Sequence, residues 1–392
     1  MPRRRRESED GEEEEQEETP TTKGEVDMDE VVENMLESRY TTRETALASF
    51  HRGLALNYSY DFVEKWSTTI NEGLKKSFKQ GREKEYELAA GALGILAITL
   101  GADASSLFSE FSPLLATNVK SGSSAKVVGQ SAMALSMLCF LGCTNELDTK
   151  AQLELFQSAL KSAHPESKAM LLKSWALLIT TLSASYLRSI FSDVIQIFYG
   201  LLDADALELR TTAAETIALV FDILREQDED NGDEFNVDNY RGEIDTDELL
   251  EKVSEMTHGQ NKFLSKKDKQ KQKNTLKDVL QLLQNGETVS ERLNISGQDL
   301  YFESWTEITQ LNSLREYLRG GTLTHFQENP LLGEIFDFRL EKGAPPVRLS
   351  RLEKRFLKSP SSAASKARTK GLASARAAHG RQEAAVAFYK DF

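Results

Sequence analysis

Two cysteines in 392 residues are too few for a disulfide framework. Both, Cys139 and Cys143, lie one helical turn apart inside an apolar helical pattern. They read as buried structural thiols of a protein in a reducing, intracellular compartment, because nothing basic in the surrounding pattern would lower their pKa. Long apolar runs are also lacking. The longest, Ala89 to Leu100, is about 12 residues, short of the ~20 that cross a bilayer. Arg3 to Arg6 are followed by acid and not by an apolar stretch, so no secretory signal is expected. The five histidines, His51, His164, His258, His325 and His379, show no metal spacing with a cysteine or with one another. No nucleophile elbow appears, and no phosphate-cradling glycine loop of P-loop or dinucleotide type. The expectation is a binding protein and not an enzyme, with no cofactor, metal, small-molecule substrate or membrane partner.

What the chain does have is segregated charge. It carries 48 Lys and Arg against 62 Asp and Glu, a net charge of −14. Yet Arg348 to Arg381 holds ten Lys or Arg and one acid, Glu353. A second run, Lys262, Lys266, Lys267, Lys269, Lys271, Lys273 and Lys277, is interrupted only by Asp268. Such local fields attract polyanions even where the whole molecule repels them, although a charge run is also what a solvated, idle segment looks like. The candidate RNA contacts are Lys266, Lys267, Lys269, Lys271 and Lys273 in the run, and Arg351, Arg355, Lys358, Lys366, Arg368, Lys370, Arg376 and Arg381 in the tail. The run either touches RNA or keeps a domain junction solvated. In the tail, Ser361–Ala378 is rich in Ala, Lys and Arg, so helix is favoured once its charge is neutralised. At about 1.5 Å per residue it would be roughly 27 Å long. A thin, positive helix of this kind suits a phosphate-lined tunnel, read through backbone and shape more than base edges.

Organisation follows from pattern. Residues 1–27 are Glu-rich with almost no apolar side chains and are expected to be disordered. Residues 28–258 read as an all-α helical-repeat solenoid of HEAT or armadillo type. Five segments align on Ala46, Ala90, Ala132, Ser174 and Ala214, a period of about 42 residues. Amphipathic stretches lie between them, Phe62–Phe78, Leu107–Val119, Leu153–Leu160 and Tyr186–Leu202, so each repeat supplies one outer helix and one inner helix rich in small residues. Gly101, Gly142 and Gly200 read as helix ends. After Leu224 an acidic stretch from Glu226 to Asp238 reads as a solvated loop. It fails as a calcium loop, because placing Gly232 at the glycine position puts Gln227 where a carboxylate is required. A helix over Asp247–Met256 would close the solenoid. Residues 259–342 form a small, mostly helical C-terminal domain: a helix through Leu276–Leu283, a hairpin of Arg292–Ile295 and Asp299–Phe302, and helices Trp305–Leu318 and Leu323–Phe338 around Gly320 and Gly321. Trp305 reads as core, with base stacking as its alternative role. Residues 343–392 are the basic tail.

The second half also carries a recognisable set of landmarks. These are the Lys run followed by Leu276-Lys277-Asp278-Val279-Leu280, then Trp305, Tyr317-Leu318, Gly320-Gly321, His325-Phe326, Asn329 and Phe336, and finally Lys366-Ala-Arg-Thr-Lys370. In this order they resemble the interferon-related developmental regulator family, over about residues 29 to 380. The resemblance implies a non-enzymatic regulator. Family members are similar to translational repressors that occupy the tRNA positions of idle ribosomes and send a C-terminal helix into the mRNA channel; others are described as transcriptional co-regulators working through protein contacts. The partners implied are therefore the ribosome, its rRNA and proteins, with transcriptional regulators held in the solenoid groove as the alternative. The reducing compartment read from the cysteines makes the expected location cytoplasmic, with the nucleus second because Arg3 to Arg6 also reads as a targeting run. The acidic N-terminus and the Ala/Ser-rich end, Ala373 to Ala387, depart from the animal pattern.

Overall fold

The computed structural model describes residues 27–232, 237, 242, 244–258 and 266–338. The expected disorder of the N-terminal 26 residues lies outside them. The described chain is helical apart from one hairpin. A short α1 (Met28–Asn34) precedes an alternation of inner and outer helices: α2 (Tyr40–Leu56), α3 (Tyr60–Gln80), α4 (Glu83–Leu100), α5 (Ser105–Ser121), α6 (Ala125–Gly142), α7 (Glu146–Ser162), α8 (Pro165–Ile179), α9 (Ala184–Leu201), α10 (Leu207–Asn231), α11 (Thr246–His258) and α12 (Lys266–Asn285). The even-numbered helices stack on one another in order, and each outer helix packs against the inner helix that follows it. The result is a helical-repeat solenoid, as the period predicts.

Side-chain chemistry explains the division of labour. Outer helices bury one stripe: in α3, for example, Val63, Ile70, Leu74 and Phe78 are buried while the opposite face stays wet. Inner helices are enclosed on several sides, so α4 buries nearly every residue from Ala89 to Thr99. Ala46, Ala90, Ala132, Ser174 and Ala214 each fall on a successive inner helix and all are buried, where a small side chain lets neighbours approach closely. Helix starts are set by local caps: Ser124, Asn145 and Ser183 accept from backbone N–H groups of the first turn, and Pro165 opens α8. By length and composition, Glu83–Ser121 and Ala125–Gly142 are apolar enough to cross a membrane, which the shorter run read from the sequence is not; 67% and 61% of these windows is buried in the solenoid core.

Polar ties repeat with the same period. Arg43 and Glu85, 42 residues apart and both buried, form a two-pronged pair at 2.6 and 2.9 Å. Arg43 also donates to the Glu37 and Ser38 carbonyls, so its guanidinium is well satisfied. Tyr86 bonds Ser131 at 45 residues' separation and Arg188 bonds Asp228 at 40. Each such tie pins one repeat to the next.

Two expectations change. The acidic stretch after Leu224 is not a loop at its start, because α10 continues as helix to Asn231. Glutamates favour helix, and Arg225 pairs with Glu229 one turn on, at 2.6 Å. The helix after it, α11, does not close the stack: α12 packs on both α11 and α10 and takes the next inner position.

Beyond α12 come the hairpin β1 (Glu291–Ile295) and β2 (Gln298–Phe302), then α13 (Trp305–Leu318), α14 (Thr322–Glu328) and α15 (Pro330–Ile335). The strands pair antiparallel from Glu291 with Phe302 to Ile295 with Gln298. Their turn is Ser296-Gly297, both at positive φ. Phe302, Phe326 and Phe336 cluster with ring centroids 5.1 to 6.1 Å apart and make the core of this small unit.

The unit is seated on the inner helices, and glycine makes that possible. A Cβ on Gly94 of α4 would run into the Tyr317 ring, and one on Gly321 would run into the Ala55 carbonyl of α2. Gly320, next to it, faces open space. Gly321→Ala should therefore lower stability by about 2–3 kcal/mol through a clash with backbone that cannot rotate away. Gly320→Ala should stay within about 0.5 kcal/mol. Thermal or denaturant melts of the full chain distinguish the two, and equal effects would mean that the seating described here is wrong.

Candidate nucleic-acid interface and the seated C-terminal unit

The seated unit touches the inner helices in an order that runs back along the chain. At its start the Trp305 backbone N–H donates to Asp222 Oδ2 of α10 at 2.8 Å. Gln310 donates to Thr180 at the end of α8 at 3.0 Å. Glu316 lies 3.8 Å from Lys173, also of α8. Tyr317 covers Gly94 of α4, and Gly321 meets α2. His325 Nε2 is 2.8 Å from the Leu54 carbonyl, and the Asn329 side chain donates to the Ile98 carbonyl at 3.0 Å. Asn329 Nδ2 also lies 3.2 Å from His325 Nδ1. That arrangement assigns the neutral tautomer with its proton on Nε2, donating to Leu54 while Nδ1 accepts.

These contacts explain the sequence landmarks. Trp305, Tyr317, Leu318, His325, Phe326, Asn329 and Phe336 are all buried, and each fastens the unit to the solenoid or fills its core. Trp305 is a core residue, 3% exposed, and not a platform for stacking bases. Leu276 and Val279 likewise anchor α12. The face of the inner helices expected to hold a partner is thus occupied along α2, α4, α8 and α10 by the chain's own C-terminal unit. Two cavities of about 770 and 780 Å³ remain beside α13, sharing Met133, Lys173, Glu316 and Arg319. Their charge is mixed, since Lys173 already holds Glu208 at 3.0 Å.

The Asp222 anchor was not legible in the sequence. Asp222 is fully buried; Arg225 donates to it at 2.8 and 3.1 Å and the Trp305 N–H supplies a third bond. Burial pushes its pKa up, and the Arg225 charge and those three donors oppose that pull. The only hint in the sequence is an aspartate inside an otherwise apolar helical segment, three residues before an arginine.

Of the basic candidates, Lys266, Lys267, Lys269, Lys271 and Lys273 all fall in the N-terminal half of α12. Lys269, Lys273 and Lys277 are exposed, one turn apart, while Leu276, Val279, Leu282 and Leu283 form the buried face. Gln272, between them, donates to Thr211 of α10 at 2.7 Å and fixes how the helix is turned. Arg351, Arg355, Lys358, Lys366, Arg368, Lys370, Arg376 and Arg381, with the expected Ser361–Ala378 helix, lie outside the described residues.

With this geometry in hand, comparison with known proteins is decisive. Residues 3–284 match the model of the interferon-related developmental regulator family. The chain belongs to that family. It is similar to interferon-related developmental regulator 2 of Mus musculus, 29% identical over 368 residues, which span 88% of this chain and 80% of that one. It is also similar to interferon-related developmental regulator 1 of Homo sapiens, 24% identical over 379 residues, 90% of this chain and 80% of the relative. Among solved structures a designed armadillo repeat protein superposes with a TM-score of 0.40 at 12% identity, over 66% of this chain and 100% of that one.

Two outcomes are expected. Asp222→Ala removes the buried partner of Arg225, which keeps Glu229 at 2.6 Å, and strands the Trp305 N–H, so it should lose about 3 kcal/mol, read as a fall in melting temperature. Asp222→Asn, which keeps an acceptor, should lose less. The second concerns pH. Burial pushes the pKa of His51 down from 6.5 to about 4, with Arg319 adding to the shift. Burial also lowers that of His325. The unfolded chain therefore binds protons that the folded chain refuses, so the stability these histidines confer is complete above about pH 6.5 and declines as pH falls toward 4. His51→Gln should make the melting temperature less dependent on pH in that window; an unchanged dependence would show that His51 does not carry it.

Proposed function

We propose that this protein is a non-enzymatic, RNA-binding translational regulator that docks on ribosomes lacking mRNA and keeps them silent. The observation that carries the reading is the lysine stripe of α12. A helix presents its positive end at the N-terminus, where cations are unfavourable by about 0.3–1 kcal/mol each. Here Lys266, Lys267 and Lys269 all occupy the first turn. Among the described residues neither Lys269 nor Lys273 is engaged in an ion pair that would offset this. An exposed cation row whose first member, Lys269, stands against the helix dipole makes physical sense when the missing counter-charge arrives from outside, as phosphate. Successive lysines rise by about 6 Å along the axis, a pitch on the scale of neighbouring phosphates along a nucleic-acid strand.

The basic tail supports the same reading, since its sequence adds ten Lys or Arg over Arg348 to Arg381. Family membership supports it too. The seating of the C-terminal unit adds a geometric argument: with much of the inner face filled from within, the lysine stripe and the tail are the parts left to engage a polyanion. The tail would reach into the channel while the solenoid and α12 sit on rRNA, in the cytoplasm.

Co-sedimentation with 80S or 40S particles from starved extract tests this. The full chain should move with the particles at low salt and leave them as salt rises. Each phosphate contact to a single strand contributes about 0.7 to the log–log salt slope. Lys269→Ala together with Lys273→Ala should therefore flatten the slope by about 1.4, and removal of residues 348–392, which takes away about six such contacts, by roughly 4. A protein that stays at the top of the gradient at low salt would sink the reading. Retention of the parent's slope by the truncation, with its loss in the double substitution, would remove the tail from the reading and leave α12 to make the RNA contact.

A further inference from the structure

Cys139 and Cys143 take no part in the proposed RNA surface; Cys139 is buried as expected, but Cys143 is not. Cys139 lies in the last turn of α6 and is 2% exposed, whereas Cys143, the residue that ends the helix, is only partly buried. Positions four apart bring both side chains to the same side of that turn. Thr149 of α7 stands against both. The Cys139 thiol donates to Thr149 Oγ1 at 3.7 Å, and Thr149 Oγ1 donates to Cys143 Sγ at 3.6 Å. Cys143 also lies two residues before Asn145, the N-cap of α7, so the positive end of that helix begins beside its sulfur.

Electrostatics separate the two thiols in the same sense. The Cys143 thiol is pushed down to about 6, first by the neighbouring Cys139 thiol and then by Thr149 and the Asn145 backbone, against opposition from burial and the Asp148 charge. Cys139 is pushed up by that same contact and by burial. Cys143, whose thiol donates to the Asn145 carbonyl at 3.1 Å, is the more accessible and the more readily ionised of the two; Cys139 is sheltered, protonated and adjacent.

We propose that Cys139 and Cys143 form a peroxide-responsive pair, in which hydrogen peroxide oxidises Cys143 and Cys139 closes an intrachain disulfide. The Cys143 thiolate attacks one peroxide oxygen; the O–O bond breaks, hydroxide leaves and is protonated to water, and Cys143 becomes a sulfenic acid. The Cys139 thiol then gives up its proton, with Thr149 placed to accept it, and its sulfur attacks Cys143 Sγ. The S–S bond forms, the S–O bond breaks, and the hydroxyl leaves with that proton as a second water. Two thiols are oxidised and one peroxide is reduced to two waters. Side chains one helical turn apart start with Cβ atoms about 5–6 Å apart, beyond the ~3.8 Å of a disulfide, so the last turn must tighten. It does so where the helix already ends: Cys143 has left helical geometry, with φ −82° and ψ 123°.

The test uses the full chain, reduced, freed of reductant and exposed to hydrogen peroxide. Thiols are counted after denaturation, and the peptide spanning both cysteines is weighed without reduction. Both thiols should disappear together, with the peptide lighter by two hydrogens and restored by dithiothreitol. In Cys139→Ala, Cys143 should stop at a sulfenic acid that dimedone captures. In Cys143→Ser, Cys139 should remain a free thiol. The proposal is overturned if both thiols of the parent persist under peroxide that fully oxidises an unstructured cysteine peptide, or if Cys143 passes to sulfinic acid with no link formed. The parent protein alone decides between these outcomes, so misfolding of either variant leaves the test intact.

Discussion

The close approach of the C-terminal unit to the inner helices is the constraint on which the rest of the structure depends. It requires bare backbone at Gly94 and Gly321, where any side chain would collide with Tyr317 or the Ala55 carbonyl. It also asks that polar atoms buried by the approach find partners, and most do: Asp222 meets the Trp305 backbone N–H, Asn329 meets Ile98, and His325 meets Leu54, while the Trp305 indole N–H is buried without one. Each bond is modest in net value, but leaving one of these groups unpaired in the interior would cost more than the bond contributes. The seam is therefore specific as well as stable. A shifted register would strand several polar groups at once.

Two kinds of charge pairing serve different ends here. Lys65 with Asp29 and Lys126 with Glu87 are largely exposed, and such pairs contribute little. Arg43 with Glu85 and Arg225 with Asp222 are buried, and each guanidinium makes several hydrogen bonds. Their worth lies less in net energy than in geometry, since a buried ion tolerates one arrangement of its partner and penalises the others. The first joins α2 to α4, and the second orients the acceptor that receives the C-terminal unit.

How much of this could be read from sequence follows from how far apart the interacting residues are. The period was legible because small residues recur at near-constant spacing, and the ties between repeats, Arg43–Glu85 among them, fall at that same separation. The hairpin and α13 were legible from local signals. The end of α10 was misjudged because consecutive acids suit both a solvated loop and a helix surface, and only the pairing of Arg225 with Glu229 decides between them. The seating of α13–α15 could not be foreseen, because it joins residues 83 to 271 positions apart for which no periodicity exists. The lysine run was visible as charge; which of its members face outward depends on how Leu276 and Val279 turn α12. The landmark residues were visible as a signature, but their role as fasteners was not.

A stack of repeats that touch only their neighbours behaves as a chain of springs, in which the ends can fray while the middle holds. Here α13 reaches from α10 back to α2, so the first and fifth inner helices share a partner. That converts an open row into a closed circuit. Strain applied at one end is felt at the other, and intermediate curvatures are suppressed because they would open the seam at Tyr317 or at Trp305. The molecule should therefore present itself to a large, rigid binding partner as a body of fixed curvature, its shape decided before the encounter and not during it.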